Sequence, residues 1–164
     1  APVNVLCGDF YEIDINRTFD CVIYVDGFGV GEDADQLCLL KRIHDWLHED
    51  GYALIDIYEP NYWRQAYKGE LTPGTDASVL RKYNFDEKTS RSTDTWWHKD
   101  HEKDAYTQLL KCYLPQQIYE LCLQADLDIV GYFPSGAVNF ETWQYYEPAS
   151  IDYCISYRIK LKQK

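Results

Sequence analysis

The chain has 164 residues, 46% of them hydrophobic, which is enough for one folded domain with a core and too few for two ordinary domains. Its formal net charge of −11 argues against a nucleic-acid partner, because an acidic surface repels phosphate backbones, and it equally disfavours anionic membranes. No apolar run approaches the length that crosses a bilayer, and the first residues do not match a signal peptide, so we expect no membrane partner.

The cysteine pattern predicts free thiols in a reducing cytoplasm. None of the six cysteines belongs to a CxxC pair, and most lie in apolar runs, where cysteine behaves as a small hydrophobic residue. They are Cys7, Cys21, Cys38, Cys112, Cys122 and Cys154. Two histidine pairs, at 44 and 48 and at 98 and 101, lack an evident third ligand, so we predict no metal site.

The first third of the chain has the pattern of parallel strands joined by a helix. Apolar runs at 3–7 and 19–25 predict two strands, the second buried on both faces because it is almost entirely apolar. A glycine-rich segment at 27–31 breaks the second run, and Asp33 and Asp35 then suit a helix N-terminus.

A helix and a third strand complete this unit. Gly51 predicts the end of the helix, and residues 52–57 predict another buried strand, parallel to its predecessor through a right-handed crossover. The apolar face of the helix recurs at helical spacing in Leu37, Leu40, Ile43 and Leu47.

Beyond residue 68 the pattern becomes antiparallel. Runs at 79–85, 92–97 and 105–113, separated by polar turns, predict an antiparallel meander. We expect the meander to form a lid or a subunit contact, because its aromatic residues occupy both faces.

The last segment predicts a helix and two strands. Pro115 opens the helix, with Ile118, Leu121 and Cys122 facing inward. Residues 127–133 and 151–161 predict two closing strands that form an antiparallel pair.

The order of these motifs resembles the class I, or Rossmann-like, S-adenosylmethionine-dependent methyltransferases. The segment Gly8-Asp9-Phe10, the strand from Phe19 to Ile23 and the turn Asp26-Gly27-Phe28-Gly29 look like the middle of that fold. Residues 47–56 resemble its fifth strand, although His48-Glu49-Asp50-Gly51 lacks the usual proline and second glycine. Further on, the segments 83–86, 96–97 and 113–125 look like the cover hairpins and penultimate helix of its small-molecule members.

The resemblance implies an α/β fold in a single, partial domain spanning residues 1–164. It contains part of a Rossmann-like methyltransferase sheet, an antiparallel cover insertion at 79–113 and a closing antiparallel strand pair. The implied function is methyl transfer from S-adenosyl-L-methionine to a small-molecule acceptor. A non-catalytic methyltransferase-like remnant that serves binding or dimerisation is the alternative.

The family's glycine-rich cofactor loop and ribose-binding acid should precede Gly8, and this sequence has no room for them. The family also places two strands between 3–7 and 19–25. We therefore expect a truncated chain, a homodimer or one half of an assembly. The strand at 3–7 should pair directly beside residues 21–25 or add to a neighbouring chain's sheet.

The glycine run supports a second alternative, a nucleotide-binding oxidoreductase fragment. The segment Gly27-Phe28-Gly29-Val30-Gly31 follows a buried strand and precedes a helix, as a dinucleotide loop does, and Asp56 could then bind the ribose. Two facts disfavour this interpretation. Asp26 directly abuts Gly27, whereas the methyltransferase pattern has one residue between, and Asp56 comes late for its role.

The resemblance assigns cofactor-binding roles to two strand ends. Asp9 would accept a hydrogen bond from the adenine amino group with Phe10 beside the ring, unless Gly8-Asp9 is only a turn. Val25, Asp26 and Gly27 would lie at the methionine end. Asp26 is the candidate catalytic residue, as a base or as the partner of the cofactor's ammonium, although an Asp-Gly dipeptide also favours a simple turn.

Aromatic side chains are the candidate substrate-binding residues, because their faces suit a cationic sulfonium or amine. Trp96 and Trp97 are adjacent on one strand, so they must point to opposite faces and at most one can reach a pocket. The full predicted set is Phe28, Tyr58, Trp96, Trp97 and Tyr113.

Overall fold

The computed structural model describes residues 3–66 and 78–164, together with the backbone of residues 71–73. The strands are β1 (Phe19–Tyr24), β2 (Leu47–Tyr58), β3 (Leu71–Pro73), β4 (Val79–Asp86), β5 (Arg91–His98), β6 (Tyr106–Lys111), β7 (Leu127–Pro134), β8 (Ala137–Asn139), β9 (Gln144–Tyr146) and β10 (Ser156–Gln163). The helices are α1 (Asp33–Trp46), α2 (Pro60–Ala66) and α3 (Pro115–Gln124), with a short 3₁₀ turn at Glu102–Asp104.

Four strands form the central mixed sheet in the order β1-β2-β10-β7. β1 and β2 are parallel, and β10 is antiparallel to both β2 and β7. The predicted parallel strand–helix–strand unit and the predicted closing pair are both confirmed, which gives the expected α/β fold. The last strand begins at Ser156 rather than at Ile151, because residues 150–153 form a tight turn closed by a Ser150–Tyr153 bridge.

Helix α1 packs its apolar stripe against the sheet, beside α3. Leu40 and Ile43 are fully buried, as the helical spacing predicted, and Leu39 joins them. α3 likewise buries Ile118 and Cys122. The core therefore lies between these helices and one face of the sheet.

The strand predicted at residues 3–7 does not form in this structure, and that expectation was wrong. The segment is irregular, and Val3, Val5 and Leu6 are 85%, 85% and 66% exposed. It does not pair with β1, which is an edge strand bonded to β2 alone within the described part of the chain. A strand needs a ladder partner, and the apolar sequence of residues 3–7 supplies none by itself.

The apolar sequence of β1 predicted burial on both faces of the strand, and this prediction was wrong as well. Val22 and Tyr24 pack against the core, whereas Ile23 and Val25 are 62% and 56% exposed. The sheet of the described residues is covered by helices on one side of β1, so alternate side chains on this strand face outward.

The predicted helix stop at Gly51 is wrong as well. Helix α1 ends at Trp46, and Leu47 already has extended backbone geometry while its N–H bonds to the carbonyls of Ile43 and His44. Gly51 instead lies where β2 bulges against β1, and a Cβ there would come within 2.9 Å of the Phe19 carbonyl oxygen. The glycine is required by this close backbone approach.

The antiparallel meander is confirmed as β4-β5-β6, and β3 extends it along β4. Helix α2 and the β8–β9 hairpin were not predicted. Buried contacts fix the meander to the sheet: the backbone N–H of Tyr113 donates to the Tyr58 carbonyl at 3.0 Å, and the Tyr157 hydroxyl donates to the Tyr113 carbonyl at 2.7 Å. The end of β6 is therefore held against the end of β2.

Candidate functional site

Two polar side chains meet where the parallel strands β1 and β2 end. Asp26 follows β1 in the left-handed backbone region, with φ of 58°, and Tyr58 is the last residue of β2. The Tyr58 hydroxyl donates a hydrogen bond to Oδ1 of Asp26. Ligands of open α/β sheets bind at the carboxyl ends of parallel strands, so this pair occupies the expected edge.

Burial and the neighbouring Asp26 carboxylate raise the pKa of Tyr58 well above its ordinary value. Tyr58 is therefore a neutral phenol at physiological pH, and its proton is directed at Asp26. The negative charge of the pair belongs to Asp26, and Tyr58 fixes the orientation of that carboxylate.

The meander closes a cavity of about 70 Å³ over this pair. Residues two apart on a strand share one face, and the register of β4 with β5 pairs Tyr83 with Asp94 and Arg81 with Trp96. The same face carries Ser92 and therefore turns toward Asp26 and Tyr58. The cavity is lined by Asp26, Tyr58, Trp63, Arg81, Tyr83, Ser92, Asp94, Gln108 and Leu110.

An ion pair forms the meander side of this cavity. Nε of Arg81 donates to both carboxylate oxygens of Asp94, at 2.8 and 3.0 Å, and Nη2 donates to Oδ2 of the same carboxylate. The Asp94 side chain is 16% exposed, so this carboxylate is shielded from bulk water. Such charge-assisted, forked bonds hold a guanidinium in one orientation.

Aromatic rings form the remaining wall. The Trp63 ring, on α2, lies 5.1 Å from the Tyr58 ring and 6.2 Å from the Tyr83 ring, measured between centroids. The Trp63 indole N–H donates to the Ile155 carbonyl at 2.8 Å, which anchors the ring to the segment before β10. The site thus combines carboxylates, one guanidinium and aromatic rings that pack at a tilt.

Solved structures share this architecture. A S-adenosylmethionine-dependent methyltransferase from Clostridium acetobutylicum ATCC 824 superposes with a TM-score of 0.72 at 16% identity, over 96% of this chain and 63% of that chain. The CcbJ methyltransferase from Streptomyces caelestis gives 0.70 at 13% identity, over 95% and 62%. The SAM-bound amino pentose methyltransferase CalS10 from Micromonospora echinaspora gives 0.58 at 13% identity, over 96% and 63%.

The chain has the class I methyltransferase fold. It spans less than two thirds of the length of each of these three structures. No family model matches the sequence, and no curated protein matches it.

Within the methyltransferase fold, Asp9 and Phe10 form a tight turn beside the end of β1. The Asp9 carboxylate accepts the N–H of Tyr11 at 2.8 Å, and the Phe10 ring lies 5.5 Å from the ring of Tyr24. The Tyr24 hydroxyl in turn donates to the Gly27 carbonyl at 3.3 Å. The structure thus links the predicted adenine end to Gly27 through packed rings, while the binding roles of Asp9, Phe10, Val25, Asp26 and Gly27 stay predictions.

The glycine run at 27–31 is occupied by contacts within the protein. Gly29 has φ of 108°, and a Cβ there would lie 2.3 Å from the Lys111 carbonyl oxygen. The Gly31 carbonyl accepts Nη2 of Arg91 at 2.6 Å. The start of the following helix is also occupied within the protein, since Glu32 pairs with Arg91 at 3.0 Å and Asp33 pairs with Lys111 at 2.6 Å. These contacts argue against the dinucleotide-loop interpretation.

Phe28 and Tyr113, two predicted substrate-binding residues, pack against each other in the core. Both are 2% exposed, and their ring centroids are 5.8 Å apart. The Tyr113 hydroxyl donates to the Asp33 carboxylate at 2.8 Å. Neither ring offers a free face in this structure, and their role in substrate binding stays a prediction.

The two tryptophans lie on opposite faces of β5, as the strand period required. Trp97 is buried, at 9% exposed. Trp96 shares the face of Arg81 and Asp94, stacks against Tyr106 with centroids 6.4 Å apart, and borders an open groove outside the 70 Å³ cavity. Of the predicted substrate-binding residues, Tyr58 lines the cavity itself.

Sequence reasoning missed most of the cavity wall: Trp63, Arg81, Tyr83, Ser92, Asp94, Gln108 and Leu110. One signal was available, because aspartate is depleted inside strands and Asp94 stands in the middle of β5. Among the described residues, no three His, Cys, Asp or Glu side chains converge into a possible metal site. No helix in that part of the chain is both long enough and apolar enough to cross a membrane.

Glu59 is a further residue that the sequence did not reveal. It is fully buried after Tyr58, and its Oε2 accepts the N–H of Tyr62 at 2.7 Å, while Oε1 has no partner among the described residues. Burial raises the pKa of this carboxyl above its ordinary value of 4.5. Glu59 thus holds the start of α2, the helix that carries Trp63.

The raised pKa predicts a specific pH dependence. The folded state holds the Glu59 proton more tightly than the unfolded chain, so the stabilisation is complete below pH 4.5 and is lost as pH rises through the folded pKa. We expect Glu59→Gln to remove this loss, so that its free energy of unfolding relative to wild type increases with pH. Urea unfolding from pH 4 to 8 measures this, with exposed Glu49→Gln as the control for losing one charge. Parallel curves for wild type and Glu59→Gln would contradict the prediction.

Proposed function

We propose that the protein transfers a methyl group from S-adenosyl-L-methionine to a small-molecule acceptor. The observation that carries the proposal is the Asp26–Tyr58 pair, at the carboxyl ends of two parallel strands and opening into a cavity roofed by the meander. The class I methyltransferase fold supports methyl transfer in general, and the acceptor belongs to the proposal. We further propose that nucleic acids and membranes are not partners, given the net charge of −11.

The residues present fit the two ends of the cofactor. Asp9 is exposed, and Phe10 lies against Tyr24, next to Gly27, so one continuous edge connects an adenine-binding position with Asp26. Gly27 packs closely against Tyr24, since a Cβ at this position would lie 2.9 Å from the Tyr24 hydroxyl, and this keeps the turn after β1 next to the ring that contacts Phe10. When bound, the cofactor supplies an electrophilic methyl group on its sulfonium.

The chain's own residues then hold the acceptor and receive its proton. Asp26 presents a carboxylate that can accept a proton from the acceptor atom, and Tyr58 is the positioning residue that fixes it. The aromatic wall and the meander enclose one side of the cavity, while Asp26 is exposed. Alignment within such a site accounts for much of the rate of a displacement reaction.

The competing class is a methyltransferase-like protein that binds or dimerises without catalysis. It predicts cofactor binding with no methylated product. The second alternative, an oxidoreductase fragment, is disfavoured because the backbone of 27–31 contacts β6 and Arg91.

Calorimetric titration separates these classes. The full-length protein is titrated with S-adenosylhomocysteine and, separately, with NAD. We expect binding of S-adenosylhomocysteine and none of NAD. Incubation with methyl-labelled S-adenosylmethionine and pooled small molecules should then yield labelled product. Binding without product would favour the non-catalytic class, and binding of NAD alone would overturn the proposal.

A further inference from the structure

The cavity at the ends of β1 and β2 carries a net negative charge. Its described lining contains two carboxylates, Asp26 and Asp94, and one guanidinium, Arg81. Arg81 is bonded to Asp94 through both Nε and Nη2, so these two charges offset each other. The remaining charge is that of Asp26.

Asp26 has hydrogen-bonding capacity left for a ligand. Its Oδ1 accepts the Tyr58 hydroxyl, and Oδ2 accepts no hydrogen bond from the described residues. Asp26 is an exposed residue that lines the cavity, and a carboxylate oxygen there favours a hydrogen-bond donor that carries positive charge.

The rings beside Asp26 have the same preference. Tyr58, Trp63 and Tyr83 line the cavity, and aromatic faces attract cations. The Tyr83 ring already shows this preference, because the Arg81 guanidinium lies over it at 4.9 Å, which leaves Tyr58 and Trp63 as the rings for a ligand. Burial raises the pKa of Tyr58 and of Tyr83, so both phenols stay neutral and add no competing charge. An anionic ligand would have to compete with Asp94 for the charge of Arg81.

We infer that this cavity binds the amino group of the acceptor, so that the substrate class is small primary or secondary amines. That the amine is the methyl acceptor rests on the proposed function. That the cavity binds an amino group rests on the cavity alone. The volume of about 70 Å³ admits an amino group with its adjoining carbons, since one water occupies roughly 30 Å³ of the liquid. The rest of the substrate extends outward from the cavity.

Three probes of one shape test the charge preference: propylammonium, propanol and propionate. Their dissociation constants are measured by saturation-transfer NMR on the full protein, with and without S-adenosylhomocysteine. We expect propylammonium to bind about tenfold more tightly than propanol, and propionate to bind least. Equal binding of amine and alcohol, or preference for propionate, would overturn the inference.

Two substitutions on the ion pair should act in opposite directions. Arg81→Gln removes a positive charge from the cavity lining and should tighten propylammonium binding severalfold, whereas Asp94→Asn removes a negative charge from the same lining and should weaken it severalfold. Lys82→Gln removes the same charge as Arg81→Gln from an exposed position on the opposite face of β4 and is the matched control. Misfolding would weaken binding in both variants, so a tightening in Arg81→Gln cannot come from that cause. Loss of amine binding in Arg81→Gln would contradict the inference.

The two proposals fail separately. Amine binding without S-adenosylhomocysteine binding would retain the cavity assignment and remove the methyltransferase function. Binding of S-adenosylhomocysteine without amine preference would retain the function and overturn the amine as acceptor.

Discussion

Asp26→Asn is expected to lower kcat/KM for methyl transfer by about 100-fold, equivalent to about 2.7 kcal/mol of transition-state stabilisation. The amide keeps the size of the side chain and can still accept the Tyr58 hydroxyl, but it can neither take a proton nor carry a charge. Asparagine also tolerates the left-handed backbone of φ 58° at this position, so the fold should be preserved. The measurement is steady-state kinetics with the acceptor and S-adenosylmethionine varied in turn.

The kinetic pattern separates the two roles predicted for Asp26. If Asp26 is a base, kcat falls and the Kd of S-adenosylhomocysteine is unchanged. If it binds the cofactor's ammonium, that Kd rises instead. Asp20→Asn is the matched control, because Asp20 is exposed near the start of β1 and roughly 20 Å of extended chain separates it from Asp26. Wild-type values of both quantities in Asp26→Asn would show that the strand end has no part in the reaction.

The parallel unit could be predicted because its signals are local. The apolar run at 19–25, the carboxylates at 33 and 35 and the helical recurrence of Leu40 and Ile43 each specify an element without knowledge of its neighbours. The ends of the strands at 19–25 and 52–57 can be predicted from the same local signals. Asp26 and Tyr58 were each predicted next to a strand end, but their hydrogen bond could not be obtained from these signals.

The failures involve properties that depend on partners. Residues 3–7 have the composition of a strand, but a strand forms only against a ladder, and the composition does not report one. Gly51 resembles a helix stop until the bulge against Phe19 is known. Phe28 and Tyr113 are aromatic like the cavity residues, and only packing distinguishes a buried ring from one that faces a ligand.

The meander part of the site was hidden by its register. Alternation shows that Arg81 and Tyr83 share one face of β4, and that Asp94 and Trp96 share one face of β5. It does not show that these two faces lie on the same side of the meander. The pairing of Tyr83 with Asp94 brings them together, and contact with α2 turns them toward Asp26. Neither fact can be obtained from spacing within a single strand.

A polypeptide of these 164 residues alone is expected to bind S-adenosylhomocysteine weakly. The comparison is a longer polypeptide in which a glycine-rich strand–loop–helix precedes these residues. We expect the short polypeptide to bind at least about 100-fold more weakly, a difference of about 2.7 kcal/mol in binding free energy. Cofactor affinity comes from groups that converge on the ligand in a preformed pocket. Here Asp9 is held in an exposed turn by the N–H of Tyr11, and the β1 edge beside Asp26 has no neighbouring strand among the described residues. The family resemblance would place the ribose-binding acid and the glycine loop before Gly8, and residues 1–7 contain neither.

Calorimetric titration of the two polypeptides measures the difference, and the thermal unfolding of each reports whether it is folded. Ile23 and Val25, exposed at 62% and 56%, provide a second readout, because a strand added at the β1 edge should protect the amides of this strand from hydrogen exchange in the longer polypeptide. The propylammonium probe should bind both polypeptides alike, since the cavity is lined by residues of this chain. Tight, stoichiometric binding of S-adenosylhomocysteine by the 164 residues would show that the upstream segment is not needed and that the cofactor site lies elsewhere than the Asp9–Asp26 edge.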